Sequence, residues 1–424
     1  MILYRPRWRL GYPALSVLVG VLLAAAAPAA ESFEKFGPRP IQEVVSADLI
    51  SGPHYRLTPT VRTFDFLNDF IVSSDYGVFE ARSDAMLRRL LREIPAITAL
   101  RKISTSDAYF KALGQAALGP VRGIQGLVTQ PVQTVEAVPN AIFDVFSRVG
   151  QGIDTAVSGQ KTAYEDSPAA QLLQMSSYKR QYAKQLGVDP YSSNPILQKE
   201  LDSVAWAAAA GNLTISMATM AAGGPVVTAL SAARNLDQAA NIVAAQPPAE
   251  LAIRDQAAMG RMGIDNTLAQ QFMAQRQFSP RAKYVLLTAL DAMSGTAGRA
   301  ALIEVALDAP DEEWALFYQQ MAELLDGYND RTASIVSLER FNRLVLARNQ
   351  SGKALVIAPI DYLIWNERAA SAVERVAKLL QLKPGDDKFE LWITGTASPL
   401  FKKEAESRGL LVKDRIVTSL PLLD

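Results

Sequence analysis

Lys353-Ala-Leu-Val-Ile-Ala-Pro359, then Asn366-Glu-Arg-Ala-Ala-Ser-Ala-Val-Glu-Arg-Val-Ala-Lys-Leu-Leu380, then Phe389-Glu-Leu-Trp-Ile-Thr394 decide how this chain folds at its end. The first and third runs are short, apolar and bounded by turn residues, which reads as strand. Between them Asn366 caps a helix whose buried stripe is Ala370, Val373, Val376 and Leu380, and Lys383-Pro-Gly-Asp-Asp387 turns the chain back. Upstream, Leu344 to Arg348 is a further β-like run, joined to Lys353–Pro359 by Asn349-Gln-Ser-Gly352 as a hairpin. Downstream, Ser398 with Pro399 reads as N-cap and first helical residue, Gly409 as a helix end, and Leu410 to Thr418 as a last strand. Strand, helix, strand, helix, strand requires right-handed crossovers, and so a small mixed sheet with parallel members.

The character changes on moving towards the N-terminus. From Pro168 to about Asn329 helical spacing dominates: Ser279-Pro280 opens a helix to about Met293, Ser294 to Gly298 is a turn, and a shorter helix reaches Leu307. Asp308 is placed to cap a helix from about Pro310 to Leu325 that ends at Gly327. Ser203 to Ala233 has no charged side chain and is divided by Gly223-Gly224-Pro225, the pattern of a helical hairpin. Its alanines suit close helix packing better than insertion into lipid. Between Leu113 and Ile153 apolar residues recur every three or four positions, but Gly123, Gly126, Pro131 and Pro139 interrupt them, so broken amphipathic helices are expected.

Nearer the start, Asp84 opens a helix with Leu87, Leu90, Leu91, Ile94, Ile97 and Leu100 on one face and Arg88, Arg89 and Arg92 on the solvated one; Pro95 is expected to bend it or begin a second helix. Phe70 to Ala81 folds into a hairpin about Asp75-Tyr76-Gly77. The fold class is therefore α+β, mainly α. The expected segments are a signal at 1–29, a β-hairpin plus basic helix at 30–110, a broken amphipathic segment at 111–160, a helical bundle or stacked helical hairpins at 161–333 and an α/β domain at 334–424.

Residues 1–29 read as an export signal. Arg5, Arg7 and Arg9 form a positive start, Ala14 to Ala27 carries no charge, and Ala27-Pro28-Ala29 places small residues at the cleavage positions, with the cut before Ala30. The alternative is an uncleaved anchor in the inner membrane, on an apolar run near the minimum length for spanning. The chain has 43 basic and 43 acidic residues, and loss of the three arginines leaves 40 against 43. That balance lacks the basic footprint of a nucleic-acid binder. Cysteine is absent, which removes disulfides, thiolate metal sites and a lipid attached to cysteine.

Sites of chemistry are few. If the strands at Leu355 and Leu391 are parallel neighbours, Asp361, Thr394, Gly395, Thr396 and Ser398 fall on loops at the strand ends, where open α/β sheets bind ligands, and the helix at Ser398 offers N–H groups to an anion. Asp361 and Ser398 are the catalytic candidates, and Thr394, Gly395 and Thr396 the ligand- or anion-binding ones. His54 is the sole histidine and reads as structural or surface, and Asp311, Glu312 and Glu313 suit the positive end of a helix. No metal site and no cofactor is expected. The reading that follows is an exported envelope protein, in the periplasm or another extracytoplasmic space, acting through another protein or a membrane surface. The alternative is an exported hydrolase or small-ligand binder using Asp361 and Ser398.

Overall fold

The computed structural model describes residues 33–118, 175–211, 241–420 and 422. The export signal, most of the broken amphipathic segment 113–153 and most of the uncharged interval 203–233 lie outside these residues.

Six strands make the N-terminal sheet: β1 (Arg39–Pro40), β2 (Ser51–Gly52), β3 (Tyr55–Leu57), β4 (Thr60–Phe64), β5 (Leu67–Ser74) and β6 (Gly77–Arg82), with a single helical turn, α1 (Ala47–Ile50), between the first two. All its pairings are antiparallel. The hairpin about Asp75–Gly77 is present, with Gly77 at φ +126, a conformation that side chains with a Cβ avoid. The other strands are two to five residues long, too short for a period of two to announce them. Alternation puts Leu57, Val61, Phe70, Val72 and Ala81 on one face, where they pack on Leu87, Leu90, Leu91 and Ile94 of α2 (Asp84–Ser104). Pro95 neither ends α2 nor begins a new helix. It lies inside 21 helical residues, where it removes one backbone donor while Ile94, Ala96 and Ile97 stay buried on either side of it.

The far half of α2 packs on α3 (Asp107–Leu118), α4 (Met175–Leu186) and α5 (Pro195–Gly211) through Ile97, Leu100, Tyr182, Leu197, Leu201 and Val204. The first nine residues of the uncharged interval are the end of α5, with Val204, Ala205, Ala207 and Ala208 fully buried.

Five helices follow: α6 (Pro248–Arg261), α7 (Asn266–Ala274), α8 (Pro280–Ala292), α9 (Ala300–Ala306) and α10 (Glu312–Arg331). Ser279 caps α8 as its sequence indicates. For α10 the structure corrects the expected ends. Asp311, not Asp308, accepts the Trp314 N–H at 3.0 Å, and the helix passes through Gly327 to Arg331. Tyr328 is buried beyond that glycine, so packing outweighs the glycine's poor helix propensity.

The C-terminal region comprises β7 (Ile335–Phe341), β8 (Leu344–Asn349), β9 (Ala354–Ala358), β10 (Tyr362–Leu363), α11 (Glu367–Leu379), β11 (Phe389–Ile393), β12 (Thr396–Ala397), α12 (Pro399–Glu406) and β13 (Leu411–Lys413). The larger sheet runs β13-β11-β9-β8-β7, parallel among β9, β11 and β13 and antiparallel from β7 to β9. β10 and β12 form a separate parallel pair. Every residue of β9 is buried, as expected for a central strand covered on both faces. One core joins Leu302 and Val305 of α9, Leu324 and Tyr328 of α10, Leu355 and Ile357 of β9, and Val373 of α11. The fold is α+β and mainly helical, with an antiparallel N-terminal sheet and a mixed, partly parallel C-terminal one. Among the described residues no helix is long and apolar enough to cross a membrane.

Candidate functional site

The strand-end edge of the C-terminal sheet is occupied by the protein's own N-terminal region. Asp361 and Tyr362 N–H groups donate to the Phe66 carbonyl at 3.1 Å each, so the β4–β5 turn sits on this edge. Asp361 Oδ2 accepts the backbone N–H groups of Asn68 at 2.9 Å and of Asp84 at 3.1 Å. Asp84 is the first residue of α2, so a carboxylate from the C-terminal domain lies at the positive end of an N-terminal helix. Asp84 in turn accepts from Asn68 Nδ2 at 2.8 Å, and Arg39 reaches Asn68 Oδ1 at 2.7 Å while stacking on the Tyr362 ring at 3.7 Å. Burial first, and then the Asp84 charge, push the Asp361 carboxyl well above the ordinary carboxylate range; the two N–H groups pull the other way. Burial raises Asp84 too, against the opposing pull of Asn68, Arg88 and Arg39.

Ser398 lies on the same edge and is equally engaged. Its Oγ accepts the Phe401 N–H at 3.0 Å as the cap of α12 and donates to Glu34 Oε2 at 2.5 Å. Glu34 Oε2 also accepts the Trp365 N–H at 2.7 Å, and the Glu34 N–H donates to the Trp365 carbonyl at 2.7 Å. Thr394 Oγ1 bonds the Ile360 carbonyl at 3.2 Å, and Thr396 N–H the Asp361 carbonyl at 3.0 Å. Gly395 allows the closest approach: a Cβ there would overlap the Asp361 backbone. The sequence candidates are thus brought together on one edge, but each is committed to joining the chain to itself. Asp361 and Ser398 are both buried. His54 pairs with Asp75 at 2.8 Å, on the N-terminal sheet and not beside Ser398.

A second polar cluster went unsuspected from sequence. α2, α4, α8 and α10, with the loop after α4, enclose a cavity of about 180 Å³. At its base Arg89 Nη1 donates to Glu312 Oε1 at 2.6 Å and Nε to Glu93 Oε1 at 3.3 Å, and Nη2 stands 3.9 Å from Asp189 Oδ2. Glu93 is also bound by Ser192 Oγ at 2.5 Å and Asn194 Nδ2 at 2.9 Å, and Asp189 by the Tyr191 N–H at 2.9 Å. Burial alone would lower the Arg89 pKa; Asp189, Glu312 and Glu93 outweigh it and hold the guanidinium above its ordinary value. The cavity wall carries five basic side chains, Arg89, Arg92, Arg180, Lys184 and Arg281, and three acidic ones, Glu93, Asp189 and Glu312. Gln277, Gln319 and Gln320 also line it, as does Ser279, the cap of α8. Placing Arg89 on a solvated face is therefore corrected: α4, α8 and α10 cover that side of α2. Glu312, assigned from sequence to the helix dipole alone, is Arg89's closest acidic partner. The legible signal was an arginine triplet with Glu93 four residues after Arg89, the spacing of a helical ion pair.

Among the described residues no group of three or more histidine or acidic side chains is arranged to hold a metal. Neither a protein-family model, nor a curated protein, nor a solved structure matches the chain.

Proposed function

We propose that this chain is an exported bacterial envelope protein that acts by holding a protein partner on its N-terminal sheet and not by catalysis. One observation carries the reading: the sheet's outward face. Phe64, Ile71 and Val78 lie on that face at 58%, 44% and 70% exposure, among Arg56, Arg62 and Arg82. Large apolar residues gathered on one face of a soluble sheet are a mark of an interaction surface. β6 is also an edge strand, paired with β5 and with no other described strand, so an extended segment of a partner can add to it through main-chain hydrogen bonds. The export reading of residues 1–29 supplies the compartment. The closed strand-end edge supports binding over hydrolysis, because a nucleophile must be reachable by its substrate.

A photo-crosslinking side chain in place of Val78, in intact cells, tests this. The expected result is one envelope protein crosslinked at position 78, lost when Ile71→Asp is added, and a chain beginning at Ala30 in the periplasmic fraction. Flotation with anionic liposomes and no crosslinked protein would move the reading to a membrane surface. Neither crosslinking nor flotation would overturn it.

A further inference from the structure

We infer that the cavity between α6 and α8 is a binding site for a small primary alkylamine whose ammonium group meets Asp255. The sequence of α6 sets the site up. Leu251, Asp255, Ala258 and Met259 form its buried stripe, so a carboxyl stands where the helical spacing calls for an apolar side chain. Asp255 is 2% exposed and, among the described residues, makes no hydrogen bond and no ion pair; its Oδ1 is fully enclosed without a partner. Protonation would not remove that deficit, because a carboxylic O–H needs an acceptor just as a carboxylate needs a donor. Buried polar groups in native proteins are nearly always satisfied, so an acid left alone beside a cavity indicates what the cavity receives. Burial holds the Asp255 carboxyl well above the ordinary carboxylate range, against the pull of Lys283, as expected of an acid that lacks a close counter-charge.

The wall narrows the class. A cavity of about 380 Å³ lies beside Asp255. Its other charges are already answered: Arg261 donates to Asp291 Oδ2 through Nε at 3.1 Å and Nη2 at 2.5 Å, and Arg254 is exposed to solvent. Lys283, the cation whose charge acts on Asp255, gives its ammonium group to the Met273 carbonyl at 2.6 Å. Among the described residues that line the cavity, Asp255 is therefore the one charged group both buried and unpaired. A lone buried carboxyl calls for one cation rich in donors, and an ammonium group brings three N–H donors to it. Ala257, Ala258 and Leu287 beside it suit an alkyl chain and not the phosphate of a lipid headgroup. The volume is that of roughly a dozen liquid waters and takes a chain of about five carbons.

The chain, titrated with n-pentylamine, n-pentanol, phosphoethanolamine and sodium chloride at matched pH and ionic strength, tests the assignment by thermal shift and calorimetry. Pentylamine should raise Tm saturably, as ligands that bind the native state do, and pentanol and sodium chloride should not. Asp255→Asn keeps the shape of the side chain, removes its charge and should weaken pentylamine binding by about ten-fold or more, the loss expected for a hydrogen bond to a charged group. Ala257→Leu, at an exposed position of the wall, narrows the cavity with Asp255 in place and should weaken binding as well. Unliganded Tm and circular dichroism show that both variants fold. Equal shifts with pentanol or sodium chloride, tighter binding of phosphoethanolamine than of pentylamine, or unchanged affinity in both variants would overturn the proposal.

Discussion

Two clusters of buried charge sit along α2, one at its first residue, Asp84, and one further along the helix at Arg89 and Glu93, and they differ in their surroundings. At its start, Asp361 and Asp84 meet Asn68, Arg39 and two backbone N–H groups, and the candidate edge is filled by Glu34 and the β4–β5 turn. Along its middle, Arg89 meets Glu312, Glu93 and Asp189 but retains a guanidinium nitrogen without a hydrogen bond, beside a cavity. Both clusters shift pKa values, so a shift alone does not separate a joint from a site.

The largest expected effect comes from the second cluster. Arg89→Leu strands three acids in a low-dielectric space and should cost about 3–5 kcal/mol, the range for breaking a buried ion pair from one side. Urea unfolding at neutral pH measures it; a loss below about 1 kcal/mol would show the cluster to be solvated. At the joint, Asp361→Ala leaves the Asn68 and Asp84 N–H groups without an acceptor and should cost about 2–4 kcal/mol.

Asp361→Asn separates charge from hydrogen bonding. The Asp361 and Asp84 carboxyls are raised in the folded state, so their favourable contribution is fully present below the ordinary carboxylate pKa and is lost as pH rises through the raised values. Asparagine keeps an acceptor oxygen and cannot ionise. The variant should therefore flatten the fall in stability above the ordinary carboxylate range, seen as a smaller change in urea midpoint with pH. An unchanged profile would place the titration elsewhere. Smaller still, Ser398→Ala removes one cap and the Glu34 bond and should cost about 1–2 kcal/mol. A loss of that size measured as stability is what a joint residue gives.

How much of this was legible depends on range. Most of the C-terminal strands and helices were readable because their signals are local: Asn366 and Ser398 cap helices within three residues, and Ala354–Ala358 is a continuous apolar run. The last strand was read too long, since Leu410 to Thr418 is strand only over Leu411–Lys413 and ends in a 3-10 turn at Ile416–Thr418, and the edge strand β7 was not read. The hairpin at Gly77 was readable for the same reason. The end of α10 was not, because Tyr328 is buried by residues distant in sequence. Asp361 and Ser398 were correctly placed at strand ends, but their partners Asn68, Asp84 and Glu34 lie some 300 positions away in sequence, and no spacing rule shows that a chain will cover its own edge. Arg89 was misplaced on solvent for the converse reason. Its acids come from α2, α10 and the loop after α4, and periodicity describes one face of one helix without saying what packs on the others.

The central claim, that the start of α2 is a closed joint between the N-terminal region and the C-terminal sheet, is tested most directly by hydrogen–deuterium exchange of the chain and of its Asp361→Ala variant. The account expects peptides spanning 65–68 and 360–366 to exchange slowly in the unsubstituted chain and to lose protection together in the variant. Faster exchange at 360–366 with 65–68 unchanged would contradict it.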